Sequence, residues 1–232
     1  MQRNFSCQAL ALRVKASGES NREAWFLTGR EGLLRATIFG GPKSRLRSRA
    51  APFHDGMLWV YHDPVRDSWK VTDFDVESYR QGIRELYERA MAANAVAETI
   101  LSSHGGGGNW EEAMALAKGV LDAINNAEAA LCPPLAVYFL WQWAFILGIR
   151  PELEDSMGRD EPAGFIGGFH GQRDSTLQVS PGARQWLTHL EPLPPSGVTL
   201  PADQKTLEQA AALAKAVLAS ALGKSLNTWE NI

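Results

Sequence analysis

Cysteine is scarce in this sequence, and its scarcity excludes two kinds of structure. The 232 residues contain two cysteines, Cys7 and Cys132, and neither lies in a CxxC pair. A disulfide framework and a cysteine-based zinc site are therefore excluded. Cys7 lies in an apolar strand-like run and Cys132 just before an apolar helix-like run, so we interpret both as buried structural thiols. This cysteine usage fits a reducing cytosol.

Long apolar runs are also missing. The most apolar segment, Leu135–Leu147, is interrupted by Gln142 and is shorter than the ~20 residues that a membrane span requires. Near the amino terminus, Gln2–Asn4 leads into alternating strand-like residues and not into the unbroken apolar run of a signal peptide. The chain is 45% hydrophobic and 21% charged, which is ordinary for a globular protein in water. We therefore expect a cytoplasmic protein.

The sequence lacks the short motifs that mark many catalytic and nucleotide-binding sites. It has no GxSxG, no GxxxxGK(S/T) and no HExxH, and its five histidines include no HxH pair. We therefore expect no catalytic residue, no cofactor and no metal site. The alternative is a small metal-dependent hydrolase that uses His170 and Asp174 in a loop. Two ligands are fewer than the three or four that metal sites normally have.

A basic excess is confined to the amino-terminal third of the chain. Residues 1–80 contain 13 Lys and Arg against 9 Asp and Glu, a net charge of +4, whereas residues 81–232 carry −7. The whole chain carries −3, so a basic part is hidden in an acidic protein. Such an asymmetry between parts of one chain indicates a module that binds a polyanion.

Five strand-like segments in the first 77 residues predict a small β-barrel. In the first of them, Leu10, Leu12 and Val14 share one face. An open five-stranded sheet would expose aromatic edge strands, so we expect the sheet to close. A five-stranded OB-type barrel is the prediction, and an SH3-like barrel is the alternative. The five segments are Phe5–Val14, Trp25–Thr28, Leu33–Phe39, Met57–His62 and Trp69–Phe74.

The apolar period changes from two to 3.6 near Val76. This change predicts a barrel domain over residues 1–77 and a mostly α-helical domain over residues 78–232, so the fold class is α+β. The first helix is predicted from Tyr79 to Ser102. The helix from Pro133 to Gly148 is apolar nearly all round, so we place it at the centre of the second domain.

The remainder of the second domain combines irregular and helical segments. Residues 149–180 are glycine-rich and irregular, with a short hairpin predicted for Phe165–Phe169 against Thr176–Val179. Ser180-Pro181 begins a short helix that ends near Leu190. A last, alanine-rich helix is predicted for Asp203–Leu222, closed by Gly223.

One basic segment stands out in the amino-terminal third. Gly40-Gly41-Pro42 ends the third strand, and an abrupt cationic loop follows it, with a cation at every second position and no acid among them. Four like charges so close repel one another, so a polyanion outside the segment would make the arrangement favourable. A solvated surface loop is the alternative. The four cations are Lys43, Arg45, Arg47 and Arg49.

Five short motifs follow one another along the chain: Gly18-Glu19, Phe26–Gly32, Gly40–Arg45, Pro52-Phe53 and Leu147–Leu153. Their order and spacing resemble the RecO family of bacterial recombination mediators. The resemblance implies an N-terminal OB-fold, a central helical domain and no catalysis. It also implies a mediator of DNA repair and homologous recombination that binds single- and double-stranded DNA and anneals complementary strands.

The resemblance further implies two protein partners. These are RecR and the acidic carboxyl-terminal tail of single-stranded DNA-binding protein, with which family members help to load recombinase. On this hypothesis the cationic loop contacts the DNA backbone together with Arg30 and Arg35 of the neighbouring hairpin. A protein scaffold that does not bind DNA is a further alternative. An acidic tail would need a basic, apolar groove, for which the possible anchors are Arg84, Arg89, Lys118 and Arg150.

The chain departs from the family pattern in one place. Many members carry a four-cysteine zinc site after the motif at Leu147–Leu153, whereas this region has no cysteine and Ser156 stands where the first one would be. A zinc site is therefore not carried over to this chain.

Overall fold

The computed structural model describes residues 3–41, 44–153, 163–167 and 175–231. The chain forms two compact units. The first consists of Met1–Gln81 and Ser103–Lys118, and the second of Gly82–Ser102 and Gly119–Ile232. The segment Ser103–Lys118 therefore folds with the amino-terminal third, although it lies between two segments of the helical unit.

Five strands and one short helix build the first unit: β1 (Asn4–Ser17), β2 (Asn21–Thr28), β3 (Gly32–Ile38), α1 (Arg45–Arg49), β4 (Asp55–Asp63) and β5 (Ser68–Ser78). The strands close into a barrel in the order β1-β2-β3-β5-β4, and β4 pairs with β1. β3 and β5 are parallel, and the other neighbours are antiparallel. This order, with a helix between β3 and β4, is that of an OB-fold, so the predicted OB-type barrel is confirmed over the SH3-like alternative.

Small and large side chains together fill the barrel. Ala9, Ala24 and Ala36 are buried on three neighbouring strands and leave room for larger rings. Phe26 and Phe74 occupy that room, with ring centroids 5.6 Å apart in an edge-to-face contact. The small residues allow the strands to close tightly around these two aromatic side chains.

A β-bulge in β1 changes which residues face the core. The register between β1 and β2 shifts between Ala11 and Arg13. Ala11 and Val14 therefore both pack in the barrel, although they are three residues apart. The predicted shared face of Leu12 and Val14 is wrong, because simple alternation assumes a ladder without an inserted residue.

A buried carboxylate joins three segments of the first unit. Asp55, at the start of β4, is 1% exposed. Arg80 Nη1 lies 2.5 Å from its Oδ1, and Lys118 Nζ lies 2.5 Å from its Oδ2. Arg80 Nη1 also donates a hydrogen bond to Phe53 O at 2.8 Å. Since a buried charge is stable only when it is paired, this cluster holds β4, the end of β5 and the segment Ser103–Lys118 together.

β5 is longer than the sequence predicts, and the helix after it begins later. β5 runs to Ser78, which pairs with Asp55, and a short 3-10 turn follows at Gln81–Arg84. The helix α2 (Tyr87–Ser102) begins only then, so the predicted helix is wrong over residues 79–86. Tyr79 is 46% exposed and Ile83 is buried, so the apolar residues that suggested a helix do not share one face.

The second unit is built mainly from helices. Tyr87–Ser102 belongs to it, and the next helix, Trp110–Asn126, begins in the first unit and ends in the second. A short antiparallel hairpin pairs Phe165 with Leu177, as predicted. The remaining elements of the chain are α3 (Trp110–Asn126), α4 (Cys132–Ile146), β6 (Ala163–Gly167), β7 (Ser175–Val179), α5 (Pro181–Leu190) and α6 (Gln204–Leu222).

α4 forms the centre of the second unit, as its all-round apolar sequence predicts. Trp141 and Trp143 are both fully buried, and α2 and α6 pack against this helix. The stretch Ala129–Ile146 has the length and composition of a membrane span, but 61% of it is buried inside the fold. The core helix of a water-soluble protein can have the same length and composition, so this stretch is weak evidence for a membrane span.

Polar side chains and one glycine lie at the ends of several helices. Asn109 precedes α3 and donates a hydrogen bond to Glu112. The Ser180 hydroxyl accepts from Ala183 N at 3.3 Å at the start of α5, and Asp203 caps α6. Gly223, with φ +67°, ends α6 in the left-handed conformation that favours glycine.

Both thiols are buried and unpaired, as their sequence contexts predict. Burial raises the pKa of Cys7 to about 11, so this thiol is protonated at neutral pH. Burial also raises the pKa of Cys132, whose sulfur lies 3.6 Å from Glu128 O.

Gly32→Ala tests how closely the β2–β3 turn packs under Trp110. Gly32 has φ +67°, and a Cβ there would lie 2.6 Å from Trp110 Cε2. We expect the free energy of unfolding to fall by about 2–5 kcal/mol, because backbone strain of roughly 1–2 kcal/mol adds to overpacking of roughly 1–3 kcal/mol. Chemical denaturation of the full chain measures the loss.

Gly18→Ala is the matched control for this substitution. Gly18 has φ +69°, but a Cβ there would meet nothing within 4 Å. Gly18→Ala should therefore lower the free energy of unfolding only by the backbone strain of roughly 1–2 kcal/mol. Equal losses in the two variants would show that Trp110 does not confine the turn.

Candidate nucleic-acid interface

The predicted cationic loop is a short helix over the part that the structure describes. Arg45–Arg49 forms α1, so the prediction of a loop is wrong there, and Lys43 lies outside the described residues. Ala50 directly after α1 is fully buried, and Leu46 packs against the barrel core. These two apolar residues are four apart, which is the spacing of one helical face, and their burial explains why the segment is helical.

The helix changes how the arginines are presented. At 3.6 residues per turn, Arg45 and Arg49 lie on one side of α1, and Arg47 lies on another. Arg49 Nη1 is 3.4 Å from Asp73 Oδ1 on β5. Within the described part of the chain, Arg45 and Arg47 have no carboxylate partner within 4 Å. These two side chains are therefore the cations of α1 that are most available to an external anion.

Arg35 lies in a row of cations and one tryptophan that crosses three strands. Strand pairing places Arg13 of β1 and Arg35 of β3 on either side of Trp25 of β2. Three cationic groups lie near the half-buried indole ring: Arg35 Cζ at 5.6 Å from its centroid, Arg13 Cζ at 5.8 Å and Lys15 Nζ at 4.9 Å. We call the row formed by Arg13, Lys15, Trp25 and Arg35 the tryptophan row.

Glu23 balances part of the charge of the tryptophan row. Its carboxylate forms ion pairs with Lys15, at 3.0 Å, and with Arg35. Burial alone would raise the pKa of Glu23, but the hydrogen bonds from Lys15 and Arg35 outweigh it and hold the pKa below its ordinary value. Glu23 is therefore ionised at neutral pH and orients two cations of the row.

Arg30 lies apart from the other predicted cations, on the β2–β3 turn. The Thr28 hydroxyl fixes this turn by accepting from Glu31 N and donating to Gly32 O, both at 3.0 Å. The Arg30 guanidinium carbon lies 5.6 Å from the Phe5 ring centroid. The eight residues of β2, at ~3.3 Å each, separate this turn from the start of β2.

The start of β2 connects the tryptophan row to α1. Arg22 Nη1 donates to Arg47 O at 3.4 Å, and Glu23 follows Arg22 directly. The structure therefore brings Arg35 and the α1 arginines to neighbouring parts of the barrel, while Arg30 lies at the opposite end of β2. The six predicted residues do not form one cluster.

Three aromatic residues of β4 and β5 differ in exposure. Trp59 on β4 is 38% exposed. Tyr61 is half-buried, with Lys70 Nζ 5.7 Å from its ring centroid. Trp69 packs at the edge of the core, with its ring centroid 5.2 Å from that of Phe5. Trp59 is therefore the one of the three that presents an open aromatic surface.

The outer surface of the barrel is divided by charge. Asp73, Asp75 and Glu77 alternate along β5 and are all exposed. The tryptophan row and α1 are predominantly cationic. The cationic surface of α1 and the tryptophan row thus attracts a polyanion, and the exposed acids of β5 repel it.

The other predicted side chains have structural partners or lie outside the described residues. Arg89 Nε donates to Ala127 O at 2.7 Å, Arg150 pairs with Glu191 at 3.4 Å, and Lys118 belongs to the Asp55 cluster. His170 and Asp174 lie outside the described residues. In the part of the chain that is described, no group of three or more His, Cys, Asp or Glu could hold a metal ion.

Sequence reasoning missed Arg13, Lys15 and Trp25. Their contribution depends on the cross-strand register of β1, β2 and β3, which a single sequence does not specify. The available signal was the pair of cations at alternate positions of one strand, since Arg13 and Lys15 project from the same face.

A closed five-stranded OB barrel with one cationic side, followed by helices, defines the chain as an OB-fold protein with a helical unit. Residues 1–75 match the family model described as "Recombination protein O N terminal". This match supports the resemblance to the RecO family over the barrel, and with it a general role in DNA repair and recombination. No curated protein matches the chain.

The ion pairs of Glu23 predict a pH dependence of stability. Because its pKa in the fold is below the ordinary value of 4.5, its contribution to stability is complete above about pH 4.5 and is lost as pH falls through the lower folded-state pKa. Glu23→Gln should reduce stability near neutral pH and leave less stability to lose on acidification. Denaturant unfolding at several values between about pH 7 and about pH 3 measures both effects.

Asp75→Asn is the control for removal of a carboxylate, since Asp75 is an exposed acid on β5. This variant keeps the Glu23 ion pairs, so the acid-induced loss of stability that these pairs cause should remain. A Glu23→Gln curve parallel to the parent curve would show that the ion pairs do not stabilise the fold.

Proposed function

We propose that the protein is a recombination mediator that binds DNA through the cationic side of its barrel, anneals complementary strands and helps to load recombinase. The observation that carries the proposal is the juxtaposition of α1 and the tryptophan row on an OB-fold barrel of a DNA repair and recombination family. A cytoplasmic location is part of the proposal.

The chemistry of this side suits a phosphate backbone. Arg45 and Arg47 are exposed or partly exposed, and Arg13 and Lys15 extend the cationic surface along β1. Guanidinium and ammonium groups release counterions when they neutralise phosphates, and such contacts carry little sequence information. Binding that ignores sequence is what a protein that anneals any pair of complementary strands requires.

Existing ion pairs on this side do not prevent phosphate contacts. Arg35 is 64% exposed and pairs with Glu23, and Arg49 is 39% exposed and pairs with Asp73. Exposed ion pairs contribute only about 0–1 kcal/mol, so a phosphate can replace or share the carboxylate at little cost. Lys43 adds a further cation to the segment before α1.

Removal of two α1 cations tests the interface. Arg45→Ala with Arg47→Ala should weaken binding to every DNA sequence and flatten the salt dependence of affinity. If both side chains contact phosphates, the slope of log K against log salt should change by about 1.8 for duplex DNA, since each contact contributes about 0.9. Filter binding across a salt series measures the slope, and strand annealing should slow in the same variant.

Lys205→Ala with Lys224→Ala is the matched control, because it removes two exposed cations from the helical unit. This control should leave binding and annealing unchanged. Isotherms of the α1 double variant that coincide with those of the parent chain would exclude α1 from the interface. Absence of any salt-dependent DNA binding by the parent chain would instead favour the scaffold alternative.

The proposal includes two protein partners, RecR and the acidic tail of single-stranded DNA-binding protein. The helical unit is the candidate surface for RecR, since residues 81–232 carry −7 and repel DNA. The same charge repels an acidic tail, so the tail would need a local group of cations there. Arg84, in the 3-10 turn before α2, is a candidate anchor together with Arg89 and Arg150. A labelled acidic tail peptide titrated against the full chain should bind with salt-sensitive affinity, and no binding would remove this partner from the proposal.

A further inference from the structure

A groove lies on the outer surface of the first unit beside Trp59. Its volume is about 510 Å³. Phe5 provides apolar surface, and Asn4, Ser6 and Thr72 provide polar groups. Arg30 and Trp59 also line it, and none of the lining residues, all of them described, is acidic. The groove thus combines an aromatic face, a cation and neutral hydrogen-bonding groups.

Trp59 faces outward from the middle of β4. It pairs with Ser6 on β1 and with Asp73 on β5, and the adjacent Leu58 and Val60 point into the core. The indole is 38% exposed, and no ring of the described residues stacks on it. An exposed tryptophan between two paired strands is a rigid platform, because the ladder on both sides fixes its backbone.

Arg30 provides the positive charge of the groove. Its side chain is 64% exposed and lies 3.4 Å from Glu31 Oε1. This exposed pair is weak, so the guanidinium can turn to a phosphate without a large loss. The backbone that carries it is fixed by the Thr28 hydroxyl, so the cation remains near the groove.

We propose that this groove binds one nucleotide of single-stranded DNA, with the base stacked on Trp59 and a flanking phosphate on Arg30. The inference rests on the proposed DNA binding and deepens it. Every base has a flat face that stacks on an indole, so the subsite accepts any sequence. A duplex hides its base faces within the stack, so this subsite distinguishes single strands from duplexes, whereas α1 and the tryptophan row contact phosphates of either.

The neighbouring acids do not oppose this arrangement strongly. Asp73, the cross-strand neighbour of Trp59, is paired with Arg49 at 3.4 Å. Glu31 is paired with Arg30 itself. Each carboxylate therefore has a cation beside it, which weakens its repulsion of a phosphate.

Trp59→Ala in the full chain tests the subsite. With a single-stranded oligothymidine probe at fixed salt, we expect affinity to fall about 5-fold to 160-fold, the range for loss of one base–aromatic stack. Affinity for a duplex of the same length should change less than about 2-fold, since phosphate contacts remain. Trp59→Phe keeps an aromatic face and should restore most of the single-strand affinity. Fluorescence anisotropy measures all of these affinities.

Tyr87→Ala is the matched control, because Tyr87 is a 68% exposed aromatic residue of the helical unit. It should not change either affinity. Retained duplex binding by Trp59→Ala also shows that this variant is folded.

Three outcomes would overturn the inference, and they differ in what they say of the proposed function. Unchanged single-strand affinity in Trp59→Ala would remove the subsite and leave the proposed DNA binding intact. An equal loss for single strands and duplexes, without rescue by Trp59→Phe, would show that Trp59 supports only the fold. Failure of the parent chain to bind either DNA would overturn the inference and the proposed function together.

Discussion

The ion cluster of Asp55 is the interaction on which the barrel unit depends. Asp55 pairs in register with Leu10 on one side of β4 and with Ser78 on the other, so it lies where β4 joins both of its neighbours. Its side chain is 2% exposed and that of Arg80 is 1% exposed. Removal of Asp55 would take away the carboxylate beside the buried Arg80 guanidinium, and breaking a buried ion pair in this way costs about 3–5 kcal/mol. Arg80 adopts φ +40°, a conformation that non-glycine residues rarely take, and the cluster compensates for this strain.

The same cluster explains why the first unit is not continuous in sequence. Lys118 reaches Asp55 from α3, so the segment Ser103–Lys118 folds with the barrel. Glycine makes the close approach of this segment possible, since a Cβ on Gly105 would lie 3.2 Å from Leu33 N and a Cβ on Gly32 would strike Trp110. Gly105, the first of the four glycines after α2, therefore has a second role, because it allows the chain to lie against the β2–β3 hairpin.

Local features of the fold could be predicted from the sequence, and features that depend on distant pairing could not. The caps at Asp203 and Gly223 and the apolar α4 are local, and each is where the sequence predicts it. The bulge at Ala11, the late start of α2 and the helical α1 depend on neighbouring strands or on burial against the barrel. Of the candidate interface, the charged segment was visible in the sequence, but the tryptophan row was not. Its cations and Trp25 come together only through the register of three strands.

Cations of the barrel unit serve two physical roles, and burial separates them. Arg80 is enclosed with Asp55 and contributes to the fold, whereas Arg35 is 64% exposed and its pairing with Glu23 can be exchanged. The net charge of +4 for residues 1–80 includes buried and exposed cations equally. It therefore does not measure the surface charge that a polyanion would contact. The charge that a polyanion contacts depends on where the carboxylates lie: Glu23 beside the tryptophan row, and the exposed acids along β5. The placement of these acids therefore decides which parts of the barrel surface favour DNA more than the number of arginines does.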